Sequence, residues 1–136
     1  MRALAALTTT LLTGTLLLAG SLLTAPAHAA FAQADSYIEL GASLPIARAV
    51  VPDSPCRDRE QVEFRDHLWS ADWLGFAYYR GCAVALRRDL ITNPPLLCTV
   101  LAHEFGHLGG LAHDPEPGSL MHPRVPARFE PCRGIR

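Results

Sequence analysis

Lysine is absent from this sequence, and the twelve basic residues are all arginines spread along the chain. They are balanced by 13 aspartate and glutamate residues, which gives a formal net charge of −1 at pH 7. No segment carries the basic stripe with which a protein follows a phosphate backbone. We therefore expect no nucleic-acid partner.

The sequence also lacks a Cys-x-x-Cys spacing, an acidic loop of the kind that binds calcium and, after its first 29 residues, any repeat or low-complexity tract. Without paired cysteines at short spacing, a zinc site built from thiolates is disfavoured. The chain has 136 residues, a length that predicts one domain at most.

The N-terminus has the features of a signal peptide. A short basic start is followed by an apolar run over Ala3–Ala25 and then by Ala27-His28-Ala29, the small-residue pattern that precedes cleavage. We place the cut after Ala29, with Ala34 as a second candidate. The alternative is a membrane anchor, since a run of about 20 residues can span a bilayer, but threonine, glycine and serine interrupt this run and no basic cluster follows it.

Residues 1–29 are therefore predicted to be a signal peptide, and residues 30–136 a single secreted domain. We expect it to be a monomer with no stable membrane association after cleavage. Such a small domain buries only roughly two thirds of its unfolded surface, so covalent cross-links would help to stabilise it.

An even number of cysteines in an exported chain predicts two disulfides, each stabilising so small a domain by about 2–5 kcal/mol. Three pairings are possible and the sequence does not decide between them. Our working hypothesis pairs Cys56 with Cys82 and Cys98 with Cys132, the second bond tying the C-terminal tail to the central helix.

Several short segments predict strands. Polar and apolar residues alternate over Gln61–Arg65, as in a half-buried strand. The segments Phe76–Tyr79 and Cys82–Leu86 flank an Arg-Gly pair and predict a hairpin. Residues 35–51 fit either a strand or a helix, although Pro45 interrupts any long helix.

The connection after the first of these strands carries two large aromatic residues, Trp69 and Trp73. Large aromatic side chains dominate burial energetics, so we expect both to pack over the small core.

The clearest element is a helix. Asn93 is a favourable N-cap, Pro94 suits the first helical position, and Gly109-Gly110 predicts the end after Leu108. One apolar stripe with helical spacing runs along it and comprises Leu97, Leu101, Phe105 and Leu108. The predicted architecture is α+β: a small twisted sheet of three to four strands, antiparallel or mixed, packed on this central helix, with a loop-rich C-terminal part.

The end of this helix carries a potential metal site, with the sequence His-Glu-Phe-Gly-His-Leu-Gly-Gly-Leu-Ala-His from His103 to His113. His103 and His107 are about 40° apart around a helix of 3.6 residues per turn, so their imidazoles can converge on one ion. Gly110 accepts a positive φ, which allows the chain to turn and return His113 to the metal. Three protein ligands leave the fourth position for water, as in catalytic zinc sites.

Glu104 lies beside these ligands and is predicted to be the general base and acid. Zinc lowers the pKa of water to about 7, and a nearby carboxylate can take the proton and later deliver it to a leaving amine. A bare His-Glu-x-x-His also occurs on helices with two surface histidines. The added Gly110 and His113 at the right offsets favour one catalytic Zn²⁺.

With these residues the sequence resembles the metzincin clan of zinc peptidases. Ser119-Leu120-Met121 fits the methionine turn of that clan, which implies that Met121 lies beneath the metal and is not a ligand. Within the clan, the motifs are most similar to matrixins and to the small snapalysin-like peptidases of actinomycetes. The latter often have Asp as third ligand, where this chain has His113. We interpret the neighbouring Asp114 as a residue that orients a neighbouring group.

The resemblance implies a secreted zinc-dependent endopeptidase that binds a protein or peptide substrate in extended form along the strand near Cys82–Leu86. Two other functions remain open. One is a secreted zinc-binding module with little or no hydrolytic activity, against which the intact Glu104 argues. The other is a zinc amidase acting on cell-wall peptides.

Overall fold

The computed structural model describes residues 40–126 and 129–136. The predicted signal peptide and residues 35–39 lie outside these ranges. Within them, the expected α+β fold is confirmed. No helix in the described ranges combines the length and the hydrophobicity needed to cross a bilayer. The elements are helices α1 (Ser43–Val50) and α2 (Pro94–Leu108) and strands β1 (Gln61–Arg65), β2 (Gly75–Tyr78) and β3 (Ala83–Arg87).

The three strands form a mixed sheet with the order β1-β3-β2. β1 runs parallel to β3, with Val62 opposite Val84, whereas β2 runs antiparallel to it, with Phe76 opposite Ala85. The predicted hairpin is thus present, closed by a 3-10 turn over Tyr79–Gly81. The sheet follows the predicted strands to within one residue at each end.

The strand predicted to bind substrate is not an edge strand. The strand expected at Cys82–Leu86 is β3. It lies between β1 and β2, so its main chain is already hydrogen-bonded on both sides. The prediction that substrate adds to this strand is therefore wrong. In the described sheet, only β1 and β2 are edge strands.

Helix α2 packs against the inner face of the sheet and contributes more residues to the buried core than any other element. Asn93 caps it by accepting a hydrogen bond from the Leu96 N–H at 3.3 Å, as its residue type predicts. The predicted apolar stripe is buried, with every member at most 2% exposed: Leu97, Leu101, Phe105 and Leu108. Burial of this stripe fixes the rotation of the helix and so determines where its histidines point.

The ambiguous segment before β1 becomes helical from Ser43 onwards. Pro45 lies in the first turn of α1, where the missing N–H group breaks no helical hydrogen bond. Arg48 then links α1 to the start of β1, because its Nη2 lies 2.9 Å from an oxygen of the buried Glu60. This helix packs mainly against α2.

Two disulfides join distant parts of the described chain. They are Cys56–Cys82 and Cys98–Cys132, with Cα–Cα distances of 5.2 and 5.7 Å, the same pairs as in our working hypothesis. The second bond holds the C-terminal 3-10 turn Glu130–Cys132 against α2. The first joins the loop after α1 to the end of the β2–β3 connection.

The two tryptophans do not pack over the core, so that prediction is wrong. Trp69 is 69% and Trp73 is 43% exposed. Both pack against Phe76, with ring centroids 4.7 and 5.8 Å from its ring. In β2 the inward position is taken by the buried Ala77, so the alternating Phe76 is on the other face, and aromatic pairing holds the indoles there.

Candidate metal centre and cleft

The three predicted histidine ligands come together at the C-terminal end of α2. The Nε2 atom of His107 lies 3.2 Å from the Nε2 of His103 and 3.2 Å from the Nε2 of His113. One potential ligand atom from each residue lies within 4.8 Å of the others. His103 and His107 are one helical turn apart, as their spacing predicted, and the third histidine approaches from outside the helix.

Main-chain carbonyls orient two of these imidazoles. The Nδ1 of His103 donates to the carbonyl of Leu120 at 2.7 Å, and the Nδ1 of His107 donates to the carbonyl of Leu111 at 2.8 Å. A carbonyl can only accept, so the proton of each ring is on Nδ1 and the Nε2 keeps its lone pair. This is the tautomer that a metal needs from an Nε2 ligand.

Protonation of the histidines is disfavoured at two of the three positions. Burial lowers the pKa of His103 despite the hydrogen bond to Leu120. Burial, followed by the charges of His107 and His122, lowers the pKa of His113. A depressed pKa favours neutral imidazole, the form that binds metal ions.

The spacing of the nitrogen atoms fits zinc. A tetrahedral ion with Zn–N distances of about 2.0–2.1 Å separates its ligand nitrogens by about 3.3 Å. The two Nε2–Nε2 distances of 3.2 Å agree with this value. A set of three neutral imidazoles is also known to hold catalytic zinc. The cluster therefore fits one Zn²⁺ ion with a coordination position left open.

The turn after α2 brings the third histidine back, as predicted from its glycine. Gly110 has φ +89°, and its position is open enough that only the backbone conformation demands glycine. The Leu111 N–H donates to the carbonyl of Gly106 at 3.0 Å, which folds the chain back over the end of the helix. His113 then follows two residues later.

The methionine turn packs beneath the helix. Met121 is 7% exposed, and its sulfur lies where a side chain at Gly106 would have to be. The carbonyl that orients His103 comes from the preceding Leu120. The turn thus supports the metal site in two ways, by the packing of Met121 and by one hydrogen bond.

Glu104 lies next to the histidines and is 5% exposed. A Cβ atom added to Gly75 would lie 2.7 Å from its Oε1, so β2 runs close past the carboxyl group. Burial raises the pKa of Glu104 to about 8 in the metal-free protein. A cation held by the histidines favours the charged carboxylate and opposes this shift.

The carboxylate of Asp114 is hydrogen-bonded within its own loop and not to a histidine ring. Its carboxylate accepts hydrogen bonds from the Glu116 N–H, at 2.9 Å, and from the Ser119 side chain, and these lower its pKa. Its own N–H donates to the carbonyl of Met121 at 2.9 Å. Asp114 therefore fixes the path of the loop between the third histidine and the methionine turn. Its assignment as a residue that orients a neighbouring group stays a prediction as far as the metal is concerned.

The histidines and Glu104 open onto a cleft of about 930 Å³. The cleft is also lined by residues of β2 with the neighbouring Trp73 and Tyr79, and by the segment Pro123–Val125 after the methionine turn. An edge strand and a loop thus both border the cleft.

Two kinds of residue were not predicted from the sequence. Some contribute by having no side chain, and others contribute through a main-chain carbonyl. Gly75 and Gly106 leave space for Glu104 and Met121, and the carbonyls of Leu111 and Leu120 orient two imidazoles. Gly106 could have been noticed as a glycine inside a helix, where it costs about 1 kcal/mol relative to alanine. For the carbonyls the sequence offers no signal, because every residue has one.

Comparison with known proteins agrees with this geometry. Residues 28–131 match the family described as Matrixin. Matrix metalloproteinase-20 of Homo sapiens is 59% identical over 32 residues, which is 24% of this chain and 7% of that protein. The chain thus matches only a small part of the length of this relative. No solved structure matches the chain.

Proposed function

This chain belongs to the matrixin family, and on that premise we propose that it is an exported zinc-dependent endopeptidase. The observation that carries the proposal is the convergence of three histidine Nε2 atoms beside the carboxyl group of Glu104 in one cleft. A site that only stores zinc has no need of a carboxyl group at this place.

His103, His107 and His113 would hold the zinc ion. When bound, zinc supplies the Lewis acidity that makes water nucleophilic near neutral pH and polarises a peptide carbonyl. Glu104 accepts the proton of the attacking water on its carboxylate and delivers it to the nitrogen of the leaving amine. Its low exposure limits its contact with bulk solvent to the side that faces the cleft.

Substrate would bind along the outer edge of β2. The Arg87 N–H donates to the Leu74 carbonyl at 2.9 Å, so in this antiparallel ladder alternate residues pair with β3. The N–H and C=O groups of Gly75 and Ala77 then point to the other edge, which borders the cleft. An extended peptide can pair with them as an added strand. This replaces the strand that the sequence suggested for the same role.

An aromatic surface continues this wall. Trp73 is stacked on Phe76 with an interplanar angle of 2°, and both line the cleft. Exposed apolar surface of this kind commonly marks a binding site. We propose that it contacts apolar side chains of a bound peptide, so that affinity increases with peptide length. Arg124, after the methionine turn, also lines the cleft and adds a positive charge to it.

Export and monomeric state complete the proposal. The proposal of export rests on the apolar run and cleavage pattern in residues 1–29 and on the pairing of all four cysteines in two disulfides, which are typical of oxidising compartments. Mass spectrometry of the protein exported by a bacterial host tests the cleavage after Ala29.

The activity is tested by incubating the zinc-loaded domain with a mixed peptide library, with Glu104→Ala and Gly134→Ala run alongside. Gly134 lies in open space, so its replacement controls for an unrelated mutation. Cuts made by the parent and by Gly134→Ala, but lost in Glu104→Ala while one zinc stays bound, support an endopeptidase. No cuts by any of them, with one zinc each, would favour a zinc-binding module or a cell-wall amidase, and peptidoglycan peptides then separate these two.

A further inference from the structure

The turn that returns the third histidine rests against a residue far from it in sequence. A Cβ atom added to Gly109 would lie 2.5 Å from Cγ1 and 2.6 Å from Cβ of Val51. The backbone does not explain this glycine, because its φ of −83° is accessible to any residue. Gly109 therefore has no side chain because Val51 occupies the space.

The segment that carries Val51 is itself fixed. The hydroxyl of Ser54 donates to the carbonyl of Leu108, the last residue of α2, at 3.4 Å. The same oxygen accepts a hydrogen bond from the Cys56 N–H at 3.2 Å, and Cys56 is bonded to Cys82. Residues 51–56, which we call the brace, thus run from the end of α1 across the end of α2 to a disulfide.

The brace supports the turn after α2, and this turn determines the positions of two potential ligands, His107 and His113. Gly109 is followed by the turn at Gly110, which leads to His113. The Leu111 carbonyl in the same turn accepts the hydrogen bond from Nδ1 of His107. A displacement of the turn would therefore move His113 and release the ring of His107 at once.

We propose that Val51 is a positioning residue of the metal centre and acts through Gly109. The inference rests on the proposed binding of zinc by the three histidines, but not on peptidase activity. Val51 packs on the turn, the disulfide holds the brace against it, and the histidines keep their spacing before the metal arrives. A metal site whose ligands are already arranged binds more tightly, because less ordering remains to be done on binding.

The test measures zinc affinity by competition with a chromogenic chelator. Gly109→Ala should push the turn off Val51 and lower the affinity 10–100-fold, the usual effect of losing support for metal ligands. Val51→Gly, which empties the space, should lower it as well. In the double variant the new methyl group enters the space vacated by Val51, so affinity should recover to within a few-fold of the parent. Val51→Ala would not serve, because the Cβ atom that meets residue 109 remains.

Gly134→Ala is the matched control and should keep the parent affinity, since a Cβ at Gly134 meets nothing within 4 Å. The thermal midpoint of the metal-free variants shows whether each one is folded. Equal zinc affinity in parent and Gly109→Ala, or additive losses in the double variant, would overturn the positioning role. If the parent itself bound no zinc, the proposed function would fail instead, and the two failures are thereby distinguished.

Discussion

Met121 and Gly106 occupy complementary space: the thioether sulfur lies where a side chain at position 106 would be. This contact joins the methionine turn to the middle of the metal-binding motif. It explains why the helix tolerates a glycine between Glu104 and His107, in a position where alanine would favour the helix intrinsically.

Gly106→Ala should therefore destabilise the protein although it raises helix propensity. The added methyl group collides with a buried sulfur, and overpacking of this kind costs about 1–3 kcal/mol. Urea unfolding of the metal-free protein measures it. Gly134→Ala again serves as the control. A variant more stable than the parent would show that Met121 can move away without cost.

The high pKa of Glu104 predicts a pH dependence of stability in the metal-free protein. Burial raises this pKa from 4.5 to about 8, so the folded state favours the protonated carboxyl group. The folded protein then binds more protons than the unfolded chain between these values. The stabilisation is complete below pH 4.5 and is lost as the pH rises towards 8.

Glu104→Gln isolates this effect, because glutamine stays neutral and every other ionisable group is the same in both proteins. The thermal midpoint of the parent should fall relative to that of Glu104→Gln as the pH is raised from 5 to 8. A constant difference across this range would mean that the Glu104 carboxyl group is not desolvated in solution.

Zinc should stabilise the folded domain through the three histidines. A ligand at 1,000 times its dissociation constant adds about 4 kcal/mol to folding stability. Removing the metal with a chelator should lower the thermal midpoint, and adding zinc back should restore it. His113→Ala keeps the two helical histidines and should lose most of this response. His67→Ala is the control, since His67 is not in the cluster.

Trp73→Ala should weaken the binding of long peptides more than that of short ones. The indole lines the cleft and stacks on Phe76, whereas the carboxyl group of Glu104, the proposed general base, is on helix α2. We expect KM to rise for peptides that reach the aromatic surface, with kcat little changed. Trp69→Ala, at the more exposed ring, should have a smaller effect. An equal loss of kcat for all lengths would contradict a role in substrate binding.

The parts of the fold that follow from local rules could be predicted from the sequence. The helix was bounded correctly because Asn93, Pro94 and Gly110 each have a strong positional preference, Gly110 through its positive φ just after the helix end. β1 was bounded correctly because its alternation is strict over Gln61–Arg65. Residues 43–50 stayed ambiguous because a short segment with a proline satisfies two patterns equally.

Tertiary relationships were less accessible. The hairpin predicted that β2 and β3 pair, but not that β1 would add to the other side of β3 and leave β2 at the cleft. The tryptophans were expected to be buried because large aromatic side chains usually are, whereas Trp69 and Trp73 pack on Phe76 and stay largely exposed. The histidine cluster could be anticipated because ligand spacing on a helix is a local property, while its support by Val51 is not.

Leu111 contributes to the site in two separate ways, through its main chain and through its side chain. Its carbonyl accepts the hydrogen bond from Nδ1 of His107. The carbonyl keeps the imidazole in place whatever the side chain is, and that side chain is 41% exposed and borders the cleft. The side chain at position 111 can therefore be replaced to change the lining of the cleft, and with it the proposed peptide preference, while the hydrogen bond that orients His107 is kept. Engineering of selectivity would sensibly begin there.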